Sequence, residues 1–515
     1  MKHEGRMKIR HSVMWPTFAC ILAAGMLGLF SGDKLAAVFG AVFGRSMDCL
    51  TWLYQLTTAA AFVLVLVLTC GRAGRIRIGG ADAKPEYSFF HWFAMSLTSG
   101  IATGIITYGV SQPIIYFESI YGELSALSIA PGSAEGATFS LARVFHEWTF
   151  VPYSVFALCG VLVACMCYNR SQPFSVASSL VPLFGEKRMH GRASVVIDCL
   201  SVMALVLGLA GSLGSGILLI ASGLNVAYGI PTGSVLLTGV AALFFALYML
   251  AAIKGIDRGV QRLASVNTYL FYFFLALLFI VGPTVYILSQ TVTSFGMWLQ
   301  NLALWLFDTG IITGDAIVRW WTVTNWAFYI AFAPVTGVFL ARLAYGRTVR
   351  EFMITNWVAP SVFSIAWFGI FGSTAMSWQA SGAADLVSAI SSGGAMSAIW
   401  VFIGKTPLPQ LLTPLVMIML VMSFCTAADA NVITIASLCT KGAVIGQDAH
   451  GAVKLAWGAL CALLAYLLIV FVKDESGLSG IKYLGSVGGM FLLAVVVLQI
   501  ISAVKLFFHD NAEKP

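Results

Sequence analysis

Residues 326–351 read WAFYIAFAPVTGVFLARLAYGRTVRE. The run opens uncharged and apolar, with Trp326, Phe328, Tyr329 and Phe332 placing four rings on one helix. It closes on Arg342, Arg347, Arg350 and Glu351, a dense charged loop. An aromatic, uncharged helix running abruptly into a basic loop is the pattern of a helix leaving a bilayer. Two readings of the rings are open. They line a pocket that holds a cation against their π faces, or they face lipid and the interface, where membrane Trp and Tyr concentrate.

The rest of the chain agrees with a membrane setting. Of its 515 residues 59% are hydrophobic and only 10% charged, a balance that excludes an ordinary soluble fold. Apolar runs of about 20 residues, each long enough to cross a bilayer as a helix, recur roughly twelve times. They lie near 14–31, 48–70, 88–117, 149–168, 195–222, 233–253, 264–289, 319–343, 354–376, 411–438, 453–472 and 483–506. Lys2, Arg6, Lys8 and Arg10 precede the first run, as in a signal peptide, but the runs that follow favour a retained helix.

Loop charge sets the expected orientation. With both termini cytoplasmic, the cytoplasmic side collects Lys2, Arg6, Lys8, Arg10, Arg72, Arg75, Arg77, Lys84, Arg170, Lys187, Arg188, Arg192, Lys254, Arg258, Arg262, Arg342, Arg347, Arg350, Lys441, Lys454, Lys505 and Lys514. That is 22 of the 29 Lys and Arg, leaving Lys34, Arg45, Arg143, Arg319, Lys405, Lys473 and Lys482 outside. The net charge of +7 therefore reflects loops facing lipid headgroups and implies no nucleic-acid partner.

Enzyme chemistry has little support. Most of the ten cysteines fall in apolar runs, no CxxC occurs, and Cys165-Met166-Cys167 is a poor metal spacing. The seven histidines are scattered, and HExxH, Ser-His-Asp and Walker patterns are missing.

Three runs carry features that a plain spanning helix does not need. The third contains Thr98-Ser99-Gly100-Ile101-Ala102-Thr103-Gly104. Glycines there either let the helix unwind, freeing carbonyls for a substrate or a cation, or form a small-residue packing face. Gly208, Gly211, Ser212, Gly214, Ser215 and Gly216 in the fifth read as close helix packing. The tenth reads Ser423-Phe424-Cys425-Thr426-Ala427-Ala428-Asp429. An intramembrane Asp is costly, so Asp429 is expected to accept bonds from neighbouring helix ends ahead of binding an ion. Runs 3 and 8 are five elements apart, the offset of two inverted repeats, 3–7 and 8–12.

At these residues the chain resembles the betaine/choline/carnitine transporter (BCCT) family. Pro334-Val335-Thr336-Gly337-Val338-Phe339-Leu340-Ala341-Arg342 with Gly346-Arg347-Thr348-Val349-Arg350-Glu351-Phe352 carries the likeness. Tyr108 to Pro113, Trp148 to Tyr153, Gln172-Pro173-Phe174, Leu183-Phe184-Gly185, Ile197-Asp198, Ser212-Leu213-Gly214 and Thr426 to Asp429 extend it. The resemblance implies an all-α integral membrane protein of twelve transmembrane helices, a LeuT-type 5+5 inverted repeat preceded by two extra helices. The divisions expected are 1–13, a cytoplasmic segment; 14–87, two helices and a loop; 88–290, the first repeat; 291–506, a connecting segment and the second repeat; and 507–515, a cytoplasmic tail.

It also implies an aromatic box for a trimethylammonium group, which falls on Trp148, Tyr153, Phe156, Trp326, Phe328, Tyr329 and Phe332. Several tryptophans of the family are Phe or Tyr here, so the cage is weakened or reshaped. Gly100, Ile101, Ala102, Thr103 and Gly104 match the family's glycine stretch with its middle glycine replaced by Ala. The adjoining glutamate is Gln112. A sodium site of the family falls on Thr98, Ile101, Ser423 and Thr426, with one hydroxyl lost at Ala427. Where sodium-independent exchangers carry an arginine, this chain has Thr268. After Phe508 only His509 to Pro515 follow, which argues against tail-driven osmotic activation.

The expectation is a secondary transporter, not an enzyme, that imports a small quaternary-ammonium or related zwitterion by alternating access. It sits in the cell membrane, has no cofactor, takes a single sodium as coupling ion ahead of the two alternatives left open, a proton or exchange without an ion, and assembles as a homotrimer by resemblance. Rivals are a same-scaffold carrier of a sulfonium, sulfonate or amino acid, and a membrane sensor or intramembrane enzyme.

Overall fold

In lipid every backbone polar group must find its partner within the protein, so apolar runs of this length become helices. The computed structural model describes residues 9–100, 102–254, 260–440, 451–471 and 478–509, and among them the regular elements are helices joined by loops. Residues 1–8 and 510–515, hence Lys2, Arg6, Lys8 and Lys514, lie outside the described residues, as do Arg258, Lys441 and Lys473. Helices of ten residues or more are numbered in chain order. They are α1 (His11–Cys70), α2 (Phe89–Gly100), α3 (Ala102–Glu118), α4 (Ala134–Trp148), α5 (Phe150–Ala164), α6 (Arg192–Tyr228) and α7 (Ser234–Lys254). Then come α8 (Gln261–Val281), α9 (Thr284–Phe307), α10 (Thr324–Arg342), α11 (Ala359–Ala380), α12 (Pro409–Leu438), α13 (Gly451–Phe471) and α14 (Leu478–Val504).

Among the described residues eight helices are long and apolar enough to cross a membrane, and three shorter apolar ones cover His11–Leu27, Ser234–Leu250 and Gly451–Leu467. Burial ranks them. The best apolar window of Ala134–Asn169 is 94% buried and that of Asp315–Arg342 89%, against 33% for Gln261–Val281. The first two are therefore central, and the third has most of its surface free for lipid. α10 packs chiefly on α5 and α14, α14 on α6, and α3 on α11.

Three boundaries differ from the sequence-based expectation. The runs 14–31 and 48–70 lie within one helix, α1, because no proline interrupts it after Pro16. At about 1.5 Å per residue that helix exceeds the roughly 30 Å of hydrocarbon, and within it Ala37–Cys70 is long and apolar enough to cross a membrane while His11–Leu27 is a shorter apolar stretch. The run 264–289 stops at Val281, where Pro283 follows, and α9 then occupies the segment expected to be a connection. The run 149–168 is preceded by a further buried helix, α4. Its Glu135, Arg143, His146 and Glu147 hide it from a hydropathy scan.

Small residues let the central helices touch. A Cβ at Gly337 of α10 would lie 2.9 Å from the backbone of Cys159 and Gly160 in α5. One at Gly489 of α14 would run into the Ala327 carbonyl of α10. Backbone cannot give way as a flexible side chain can. Gly337→Ala and Gly489→Ala should each lower stability by about 1–3 kcal/mol, the usual range for overpacking. Thermal melts of the purified variants check this, and unchanged melting would mean that α10 is free to shift.

The basic loop after α10 ties the bundle together. Arg350 donates to the carbonyls of Thr69 and Gly71, at 2.8 and 3.1 Å, and so satisfies the C-terminal end of α1. Arg347 donates to the Tyr87 carbonyl at 2.7 Å and lies over Trp92 at 5.0 Å. Thr348 and Glu351 close a capping box on the helix that starts at Val349.

Candidate functional site

The central helices are broken where they meet. Between α4 and α5, Thr149 leaves helical geometry at φ −123° and ψ −127°. Pro152 explains it: a proline has no N–H, and its ring excludes the carbonyl four residues back, here that of Trp148. The neighbouring Glu147 carbonyl instead accepts from Asn325 of α10 at 2.6 Å. On the facing side, residues Val318–Val323 form a wide π-helical turn leading into α10. Such turns re-aim side chains and recur at functional sites.

A cavity of about 110 Å³ lies between these breaks and helices α3, α6, α12 and α14. On a scale where one water needs about 10–15 Å³, it holds one small solute or several waters. Rings make much of its wall, from Tyr108, Trp148, Trp320, Trp321, Phe328, Phe332 and Phe424. Tyr108 lies 5.5 Å from Trp148 and 6.3 Å, at right angles, from Trp321. Phe328 and Phe332 are 4.8 Å apart.

Behind the rings is a buried ionic network. Arg143 and Glu147, one turn apart on α4, are both 0% exposed and 3.8 Å apart. Thr322 bridges them, accepting from Arg143 at 2.5 Å and donating to Glu147 Oε1 at 2.6 Å. Tyr116 donates to Glu147 Oε2 at 2.8 Å, and Gln112 donates to the same oxygen. Trp148 donates its indole N–H to Gln112 Oε1 at 2.7 Å. The Arg143 guanidinium lies over the Trp305 ring at 4.8 Å. A buried carboxylate is tolerable only when paired and hydrogen-bonded, and this one is both. Glu147 is the charged residue of the cavity wall, and Arg143 neutralises it.

A model described as BCCT, betaine/carnitine/choline family transporter, matches residues 12–512. The chain belongs to this family. It is 30% identical over 505 residues to a probable glycine betaine transporter of Desulfitobacterium hafniense, covering 98% of this chain and 99% of the relative. A glycine betaine transporter of Bacillus subtilis is 28% identical, with 98% and 95% covered. A glycine betaine/proline/choline transporter of Vibrio parahaemolyticus is 30% identical, with 88% and 82% covered. The family and these relatives are transporters, not enzymes.

In this BCCT transporter the residues expected to meet substrate, those of the box and of the glycine stretch, separate into three groups. Trp148, Phe328, Phe332 and Gly104 line the cavity. Tyr153, Phe156 and Tyr329 pack beside it, with Tyr329 5.2 Å from Phe156, 6.2 Å from Tyr153 and 6.3 Å from Trp148. Trp326 is placed elsewhere, donating to Gln55 of α1 at 2.8 Å with its ring 5.6 Å from His146. Ile101 lies outside the described residues, and for Gly100, Ala102 and Thr103 only helical backbone is described.

The residues expected to hold sodium are also placed, apart from Ile101. Thr98 donates to the Ala94 carbonyl and Thr426 to that of Met422, each at 2.7 Å, so both oxygens keep lone pairs. Ser423 is engaged twice, donating to Met419 and accepting from Asn267, each at 2.8 Å. Asp429 is fully buried on α12.

Sequence reasoning placed Arg143 among the outside loop charges. The structure corrects this: the side chain is buried in the network above. It also passed over Glu147, Tyr116, Thr322, Tyr108, Trp320, Trp321 and Phe424. One signal was present, the i,i+4 spacings of Arg143 with Glu147 and of Gln112 with Tyr116, which align polar groups on one helix face.

Proposed function

We propose that this transporter moves a small zwitterion carrying a quaternary ammonium or related onium group inward across the cell membrane by alternating access. The observation that carries the reading is the ring-walled cavity with a neutralised ionic network. An onium group cannot donate a hydrogen bond, so ring faces stand in for its water. With Glu147 already paired to Arg143, the wall has no spare charge. A solute neutral overall avoids the cost of an uncompensated buried charge, which a bare cation would incur. The names of the relatives, glycine betaine transporters among them, agree with this choice.

Sodium is the coupling ion in this reading. The lone pairs of Thr98 and Thr426 support it, because α2 and α12 pack together and hydroxyl and carbonyl oxygens suit such a cation. Thr268 leaves no fixed cation in its place. The architecture proposed is twelve spans with paired five-helix repeats, termini cytoplasmic by loop charge, and a trimer.

Uptake of labelled glycine betaine into proteoliposomes tests the proposal. Accumulation should follow an inward sodium gradient and be competed by other onium zwitterions more than by amino acids. Uptake indifferent to sodium would overturn the coupling. No uptake by folded protein would overturn the substrate class and turn attention to sulfonates and amino acids.

A further inference from the structure

Two buried donors in the cavity wall come from different helices. Asn431 of α12 is 2% exposed and Ser486 of α14 is 1% exposed. Both line the cavity, and neither the Asn431 amide nitrogen nor the Ser486 hydroxyl has a hydrogen-bond partner among the described residues. Other polar groups of the same wall are engaged. Gln112 bonds Tyr116, Glu147 and Trp148, Asn325 holds the Glu147 carbonyl, and Ser215 donates to the Gly211 carbonyl. A buried donor left unbonded bears its full desolvation cost, so two in one cavity point to an acceptor that arrives with the ligand.

The wall of α12 shows where that acceptor would sit. Phe424, Ala427 and Asn431 follow at spacings of three and four residues, so one helix face carries all three into the cavity. Along it the lining changes from a ring to an amide within seven residues, about 10 Å of helix.

We propose that Asn431 and Ser486 form the subsite for the anionic end, a carboxylate or sulfonate, of the zwitterion whose onium end meets the rings. This rests on the onium reading above. Two neutral donors bind an anion through charge-assisted hydrogen bonds without adding net charge to the cavity. They also select. An onium solute with no anionic end leaves both donors buried and unbonded, and sites built to bond a polar group discriminate strongly against analogues that lack it.

Tryptophan-fluorescence titration of the purified full-length protein tests this, with glycine betaine as the complete probe and tetramethylammonium as the headgroup alone. The wild type should prefer betaine. Asn431→Ala and Ser486→Ala should each cut that preference by roughly ten- to a hundred-fold, as expected for losing a hydrogen bond to a charged group. Asn431→Asp should reverse it, since a second carboxylate repels the anionic end and attracts the bare cation, an effect that merely loosened packing does not produce. Thermal melts confirm folding, and either single variant suffices if the other fails to fold. An unchanged preference in a folded variant overturns the subsite and leaves the onium reading intact. Wild-type protein that binds neither probe overturns the onium reading, and the subsite with it.

Discussion

Trp148→Ala should weaken transport of the proposed onium substrate, probed with glycine betaine, about 30-fold or more, since a desolvated cation–π contact alone is worth about 2 kcal/mol. Trp148 lines the cavity and joins its two aromatic groups, lying 5.5 Å from Tyr108, 6.3 Å from Tyr329 and 5.8 Å from Phe368. It also anchors Gln112, whose amide supports Glu147. Alanine removes both the ring face and the indole donor. Trp148→Phe separates the two, keeping a ring and losing the N–H. Its loss should be only roughly two- to ten-fold, the worth of one neutral hydrogen bond. Concentration dependence of uptake in proteoliposomes reads both variants. Equal losses for Phe and Ala would place the effect in the Gln112 anchor and remove the ring from substrate binding.

Arg143→Leu should destabilise the protein by about 3–5 kcal/mol, the cost of leaving a buried charge without its partner. Glu147 would keep Thr322, Tyr116 and Gln112 but lose the cation that offsets its burial. Glu147→Gln strands Arg143 in the same way, with Thr322 and the Trp305 face as its remaining support. The double variant Arg143→Leu/Glu147→Gln removes both charges and should be more stable than the sum of the two losses predicts. Thermal melts of the three variants give the interaction term, and strictly additive losses would show that the two charges do not compensate each other.

The reach of the sequence differed between wall and network. Trp148, Phe328 and Phe332 were legible because a resemblance to the family names positions along a helix, and a ring on a central helix often meets the central cavity. The same list included Trp326, which turns to Gln55 of α1 instead. At about 100° per residue, 328 and 332 lie only about 40° apart and 326 lies at the opposite edge of the roughly 160° arc that the four rings span, so the cavity takes the first pair and a neighbouring helix takes Trp326. Arg143 and Glu147 escaped notice for the opposite reason. Their charges lower the hydropathy of α4, which therefore looked like loop, and compensation by residues 322, 116 and 112 cannot be seen in local sequence.

Helical membrane architecture follows from the chain read alone, because an apolar run of 20 residues in lipid has one way to satisfy its backbone. Family membership follows too, since the segment from Pro334 to Phe352 is long and specific, and the family model extends the match to residues 12–512. Which rings share a cavity, and which polar side chains support the Arg143–Glu147 pair, were decided by tertiary structure. Each depends on side chains tens to hundreds of residues apart meeting within hydrogen-bond or ring-contact distance. The free energy of a buried polar group is set by those neighbours, and not by its own position in the chain.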